Sequence, residues 1–165
     1  MIFVTVGTHE QSFNRLLEEI DKLVEKSFIE EKVVVQTGYS SYIPKNCEYH
    51  KFLSLHEMEQ KLKEARIVIT HGGPASFIAS LQIGKIPIVV PRQEKYGEHI
   101  NNHQVEFVKL IDEKMNNIIP VYDISTLKDK ILNYDKISNS DINTIKSNNA
   151  QFIKKFEEIV DSLFA

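Results

Sequence analysis

The segment Arg66-Ile67-Val68-Ile69-Thr70-His71-Gly72-Gly73 constrains the fold more than any other part of the chain. A β-branched apolar run stops at paired glycines. Helix-compatible residues follow from Pro74 to Ile83, then a terminating Gly84 and a second apolar run, Ile86-Pro87-Ile88-Val89-Val90. Two strands joined through a helix run parallel, and parallel strands are buried on both faces. The alternation recurs elsewhere. Ile2 to Val6 is an apolar run that ends at Gly7, and Phe13, Leu16, Leu17, Ile20, Leu23 and Val24 follow at helical spacing, with Ser12 as the expected N-cap. Val33-Val34-Val35, Tyr49 to Leu53 and Ile118 to Val121 read as further strands; His56 to Ala65 and Asn101 to Asp112 read as helices. Asp135 to Asn149 is rich in Asn, Ser and Asp, as a linker or a weakly packed helix start would be. The expected fold is α/β: one Rossmann-like domain over residues 1–165, a parallel sheet with helices on both faces and any ligand at the carboxyl ends of the strands.

Charge and cysteine content exclude several functions. Lys plus Arg number 20 against 23 Asp plus Glu, and a net charge of -3 does not supply the basic footprint of a general nucleic-acid binder. The single cysteine, Cys47, allows neither an internal disulfide nor a Cys-rich metal site, so a reducing cytoplasm is the expected compartment. The apolar run at the N-terminus is too short to cross a bilayer and lacks the positive flank of a signal peptide.

Two segments carry chemistry. Thr70-His71-Gly72-Gly73-Pro74-Ala75-Ser76 sits where a strand meets a helix, so backbone N–H groups and the positive helix end converge there on a potential anion, with the Ser76 hydroxyl beside them. A sharp turn demanded by packing alone would use the same glycines. The turn has neither the P-loop spacing nor a G-x-G-x-x-G pattern. The loop after the next strand, Pro91 to Gln104, is unusually polar. Glu98, His99, Asn102, His103 and Gln104 supply the mixed donors and acceptors that sugar hydroxyls require. His99 and His103 stand at helical i, i+4 spacing, yet with no intervening Glu and no clear third ligand they make a poor metal site, and none is expected. In the first loop, His9 is a candidate general base with Glu10 orienting or charging it; capping the following helix is the structural alternative for this pair.

The stretch THGGPASFIASLQIGKIPIVVPRQEKYGEHINNHQ resembles the nucleotide-sugar-binding region of GT-B glycosyltransferases, in particular the C-terminal lobe of the family 28 enzymes. MIFVTVGTHEQSF and GEHINNHQ resemble the small catalytic subunits of two-part bacterial polysaccharide glycosyltransferases, which are similar to the small subunit of the eukaryotic N-acetylglucosaminyl transferase acting on dolichol-linked sugar. The resemblance implies the C-terminal half of a GT-B fold, no cofactor beyond a UDP-sugar donor, and inverting transfer to a lipid-linked saccharide acceptor in capsular or exopolysaccharide biosynthesis. The sugar stays open, with β-1,4-galactosyl transfer among the reactions implied. A non-catalytic nucleotide-binding regulatory subunit is the alternative.

By the same resemblance, Gly72, Gly73, Ala75 and Ser76 hold the diphosphate with His71 beside it, His103 and Gln104 touch the donor sugar, and Gly7 and Thr8 line the cleft. Many relatives carry a ribose-binding Glu five residues before the helix-ending glycine; here that position is Ala79. One sheet with its helices uses up a chain of this length, so a membrane-associated partner subunit is expected to supply the acceptor lobe and to hold this chain at the inner face of the membrane. A C-terminal helix at about 141–165, with a stripe that includes Ile142, Ile145, Phe152, Phe156 and Ile159, is the expected docking element; packing on its own sheet or a homodimer seam would use the same stripe.

Overall fold

The structure, a computed structural model, describes residues 1–140. Six parallel strands form one sheet in the order β3-β2-β1-β4-β5-β6: β1 (Ile2–Thr5), β2 (Val33–Gln36), β3 (Glu48–His50), β4 (Ile67–His71), β5 (Ile88–Val90) and β6 (Ile119–Pro120). The helices are α1 (Asn14–Glu25), α2 (Leu55–Glu64), α3 (Pro74–Gln82), α4 (His103–Met115), α5 (Leu127–Leu132) and α6 (Tyr134–Ser138). This is the expected α/β architecture.

Alternation along each strand sorts the core into two layers. Ile2 and Val4 of β1, Ile67 and Ile69 of β4, and Ile88 and Val90 of β5 face α1, α5 and α6, where Leu16, Leu17, Ile20, Leu127 and Ile131 close the layer. The intervening residues face the other way. Phe3, Val34 and Val68 pack on α2 through Leu62, and Val89 packs on α3 and α4 through Phe77, Leu81 and Val108. Helices therefore cover both faces, which is why the strands read as unbroken apolar runs.

Several boundaries differ from expectation for local reasons. Ser12 does not cap α1: Phe13 is the N-cap residue, and its amide donates to Ser40 Oγ at 3.0 Å, from the loop after β2. That loop is tied to α1 by buried Asp21, whose carboxylate accepts from Tyr42 Oη and the amides of Lys45 and Asn46. Strand β5 starts at Ile88, just after Pro87, which has no N–H to pair. The third strand is the short edge segment Glu48–His50, ahead of the expected Tyr49 to Leu53, and α2 starts at a capping box formed by Ser54 and Glu57. Helix α4 begins only at His103, so His99 and His103 do not share a helical face. Lys85, just past the terminating Gly84 (φ +75°), reaches back to cap α2, donating to the carbonyls of Leu62 (2.7 Å), Lys63 and Ala65. The expected docking helix at about 141–165 lies outside the described residues. No helix among the described residues is long and apolar enough to cross a membrane.

Candidate functional site

The strand order reverses between β1 and β4, and connections leaving their carboxyl ends diverge to opposite faces of the sheet. A cleft of about 730 Å³ opens at that point. Gly7, Thr8 and His9 reach it from the loop after β1, His71 and Gly73 to Ser76 from the turn after β4, and His99 and Gln104 from the segment after β5. None of its lining residues is Asp, Glu, Lys or Arg, while three are histidines. An anion entering this cleft meets no carboxylate in its lining.

His71 organises the turn. Its Nδ1 accepts from the Gly73 amide at 3.0 Å, so the ring proton resides on Nε2, which donates to Ser76 Oγ at 2.8 Å. Burial, and then the nearby Arg92 charge, push the imidazole down to about 4, leaving it neutral near pH 7. With its oxygen receiving that proton, Ser76 still has its own O–H to donate. The glycines are where they are because of this ring: a Cβ at Gly73 would lie 2.2 Å from His71 Cε1, and one at Gly7 would lie 2.4 Å from Nε2. Gly7 also has φ +76°, a conformation that favours glycine.

The turn therefore differs from the simple anion cradle that its glycines suggest. The Gly73 amide is taken by His71, and the Gly72 amide by Gln104 Oε1 at 3.0 Å. His71 itself acts on the cleft through Ser76, with both nitrogens engaged. What remains for an anion is the Ser76 hydroxyl and the amide of Ala75 in the first turn of α3, where helical geometry provides no intrahelical carbonyl. Gln104 Oε1 also accepts from the Arg92 amide at 3.1 Å, so only its NH2 group is left to meet a sugar.

Four other expected residues are not brought into the cleft. Glu98 is buried, with its carboxylate held by Arg15 Nε at 2.8 Å and Nη2 at 2.9 Å and by the Gln93 amide. Asn102 closes the preceding loop through Glu94, accepting from its amide and donating to its carboxylate. His103, at the start of α4, is exposed and lies 3.6 Å from Glu106. Glu10 is likewise exposed and does not line the cleft. His9 does, and its ring stacks on His99, with centroids 4.8 Å apart.

Some cleft residues carry no sequence signal of their own. Thr5 and Gln36, joined side chain to side chain at 2.7 Å, form the floor at the strand ends. Leu53, Leu55, Met58, Leu62 and Ala79 make an apolar wall between α2 and α3. Ala79 packs within that wall, so the position where the resemblance implies a ribose-binding Glu is apolar here. Arg92 is fully buried and donates to the carbonyls of Val6, Gln11, Ser12 and Glu98, with its guanidinium 4.8 Å from the Phe13 ring centre. Burial lowers its pKa to about 10, which leaves it charged at neutral pH. Its place directly after a buried strand was the available clue, since a cation there has to find partners.

An all-parallel α/β domain with its cleft at the sheet's switch point is a ligand-binding domain of the doubly wound class. Residues 1–163 match the glycosyltransferase family 28 C-terminal domain, and the chain belongs to that family. It is 35% identical over 121 residues to the UDP-N-acetylglucosamine transferase subunit ALG13 of Mus musculus, and 32% identical over 124 residues to the Homo sapiens protein of the same name. Each alignment takes in 68% of this chain and 10% of the relative, so the chain spans about a tenth of the length of these curated relatives. Among solved structures, the glycotransferase of kitacinnamycin shares the fold at a TM-score of 0.55 and 19% identity, over 85% of this chain and 35% of that one.

Proposed function

We propose that this chain is the donor-binding, catalytic subunit of a two-part glycosyltransferase, moving a sugar with inversion from a UDP-sugar to a lipid-linked saccharide in capsular or exopolysaccharide biosynthesis. The observation that carries this reading is the His71–Ser76 pair at the start of α3. It presents a hydroxyl donor and a helix N-terminus to a cleft whose lining has no carboxylate. A leaving UDP develops charge on its diphosphate, and donors fixed in advance at that position stabilise it. The apolar wall by Ala79 suits a nucleoside face, while Thr8, Gln36 and the NH2 group of Gln104 remain for hydroxyls.

In this scheme the acceptor hydroxyl attacks the anomeric carbon from the side opposite the diphosphate, and His9 takes its proton. The acceptor reaches the cleft on a membrane-associated partner subunit, which holds this chain at the inner face of the membrane. That the curated relatives are a transferase subunit supports a shared assembly.

Two measurements test the proposal. Calorimetric titration of the purified chain with UDP is expected to show binding, retained in His9→Ala and weakened in Ser76→Ala. Transfer from UDP-galactose, UDP-glucose, UDP-glucuronate or UDP-N-acetylglucosamine to a lipid-linked acceptor, with the partner present, is expected for wild type and lost in His9→Ala. No binding of UDP refutes the donor site. Binding without transfer from any of the four donors favours the regulatory-subunit alternative.

A further inference from the structure

We infer that His99 is a positioning residue for His9, and that the buried Arg92 sets the spacing of the two rings; the inference rests on reading His9 as the base. The two histidines come from the loops after β1 and β5, both line the cleft, and their rings stack with centroids 4.8 Å apart at 22°. Each ring's loop is fastened to the same guanidinium. Arg92 Nη1 donates to the carbonyl of Gln11, two residues after His9, at 2.6 Å, and to that of Glu98, next to His99, at 3.1 Å. Glu98 is fixed a second time through its carboxylate by Arg15.

One hydrogen bond does not orient an imidazole. His9 Nε2 meets Gln11 Oε1 at 2.9 Å; with an oxygen facing it, Nε2 carries the proton and Nδ1 keeps the lone pair that a base needs. That contact leaves the ring free to swing about it. A second ring laid nearly flat against the first removes this freedom, and misplacing a catalytic group by an ångström costs on the order of 100-fold in rate. The stack is not a metal site: face-to-face imidazoles do not converge their lone pairs, and no group of three or more His, Cys, Asp or Glu among the described residues is placed to hold an ion.

The test compares His99→Ala with His99→Phe, which keeps a flat aromatic face but has no nitrogen. In the partner-bound enzyme, His99→Ala is expected to lower kcat by about 10- to 100-fold while KM for the donor and Kd for UDP stay within about twofold; His99→Phe recovers most of kcat. In the isolated chain, the ring-current shift of the His9 Cε1 proton in NMR spectra is expected to vanish in His99→Ala and return in His99→Phe. Wild-type kcat in His99→Ala overturns the inference. So does equal loss in both variants, which assigns the effect to the His99 nitrogens, or a loss confined to UDP affinity. A wild-type chain that binds no UDP brings down the donor reading, and this inference with it; normal UDP binding with transfer indifferent to His99→Ala refutes the positioning role alone.

Discussion

Protonation of His71 should unfold this protein sooner than its carboxylates alone would. In the folded chain Nδ1 accepts from the Gly73 amide and Nε2 donates to Ser76, so a second ring proton would set donor against donor. Folding holds the imidazole at about 4, against 6.5 ordinarily, chiefly by burial and secondly by the Arg92 charge. The unfolded chain therefore binds more protons between those two values. Stability is full above the upper value, falls as pH drops through the window and levels off below the lower one. Linkage over that gap amounts to a loss of about 2 kcal/mol between pH 7 and pH 5, a large share of the roughly 5–15 kcal/mol of a typical domain. Other groups titrate too, so the assay is a difference. Urea unfolding is followed across this range for wild type and for His71→Asn, whose Oδ1 can still accept from Gly73. Wild type should lose about 2 kcal/mol more than the variant. Parallel stability curves, or an NMR titration placing His71 near its ordinary value, would refute the reasoning.

Three further outcomes are expected. Arg92→Met strands several buried carbonyls and should cost about 3–5 kcal/mol in urea unfolding; a cost under about 1 kcal/mol would mean that water replaces the guanidinium. Gly73 has φ -75°, open to any residue, so Gly73→Ala should be destabilising only through the His71 ring. Its cost should largely disappear in a His71→Ala background, and simple additivity in that double-mutant cycle would show the clash to be irrelevant. Lys85→Met removes the cap on α2 and should lower stability by about 1–2 kcal/mol, read from the thermal midpoint; an unchanged midpoint would show that these carbonyls find other donors.

Periodicity and punctuation determined the architecture. Runs such as Ile67 to Ile69 and Val33 to Val35 are apolar at every position because both faces are covered, and Gly7, Gly73 and Gly84 mark the exits from strands and helices. Those are local signals, carried by neighbouring residues. A site at the carboxyl ends of the strands was equally legible, since alternating strands and helices place loop residues such as His9, His71 and Gln104 at one end of the sheet, whereas the switch point between β1 and β4 emerged only with the strand order. What those residues do with their polar atoms was decided only by contacts distant in sequence. Gln104 and Glu98 look alike in a polar loop, but one reaches the Gly72 amide and the other is drawn into the core by Arg15. The glycines announced close approach without saying to what. Tertiary structure answered with the His71 ring, because only packing decides which group fills the space that an absent Cβ leaves. The roles of His99 and Arg92 lie beyond local reading for the same reason: a stack between two loops, and a cation shared by the carbonyls of two loops, exist only once the sheet has brought the carboxyl ends of β1 and β5 together.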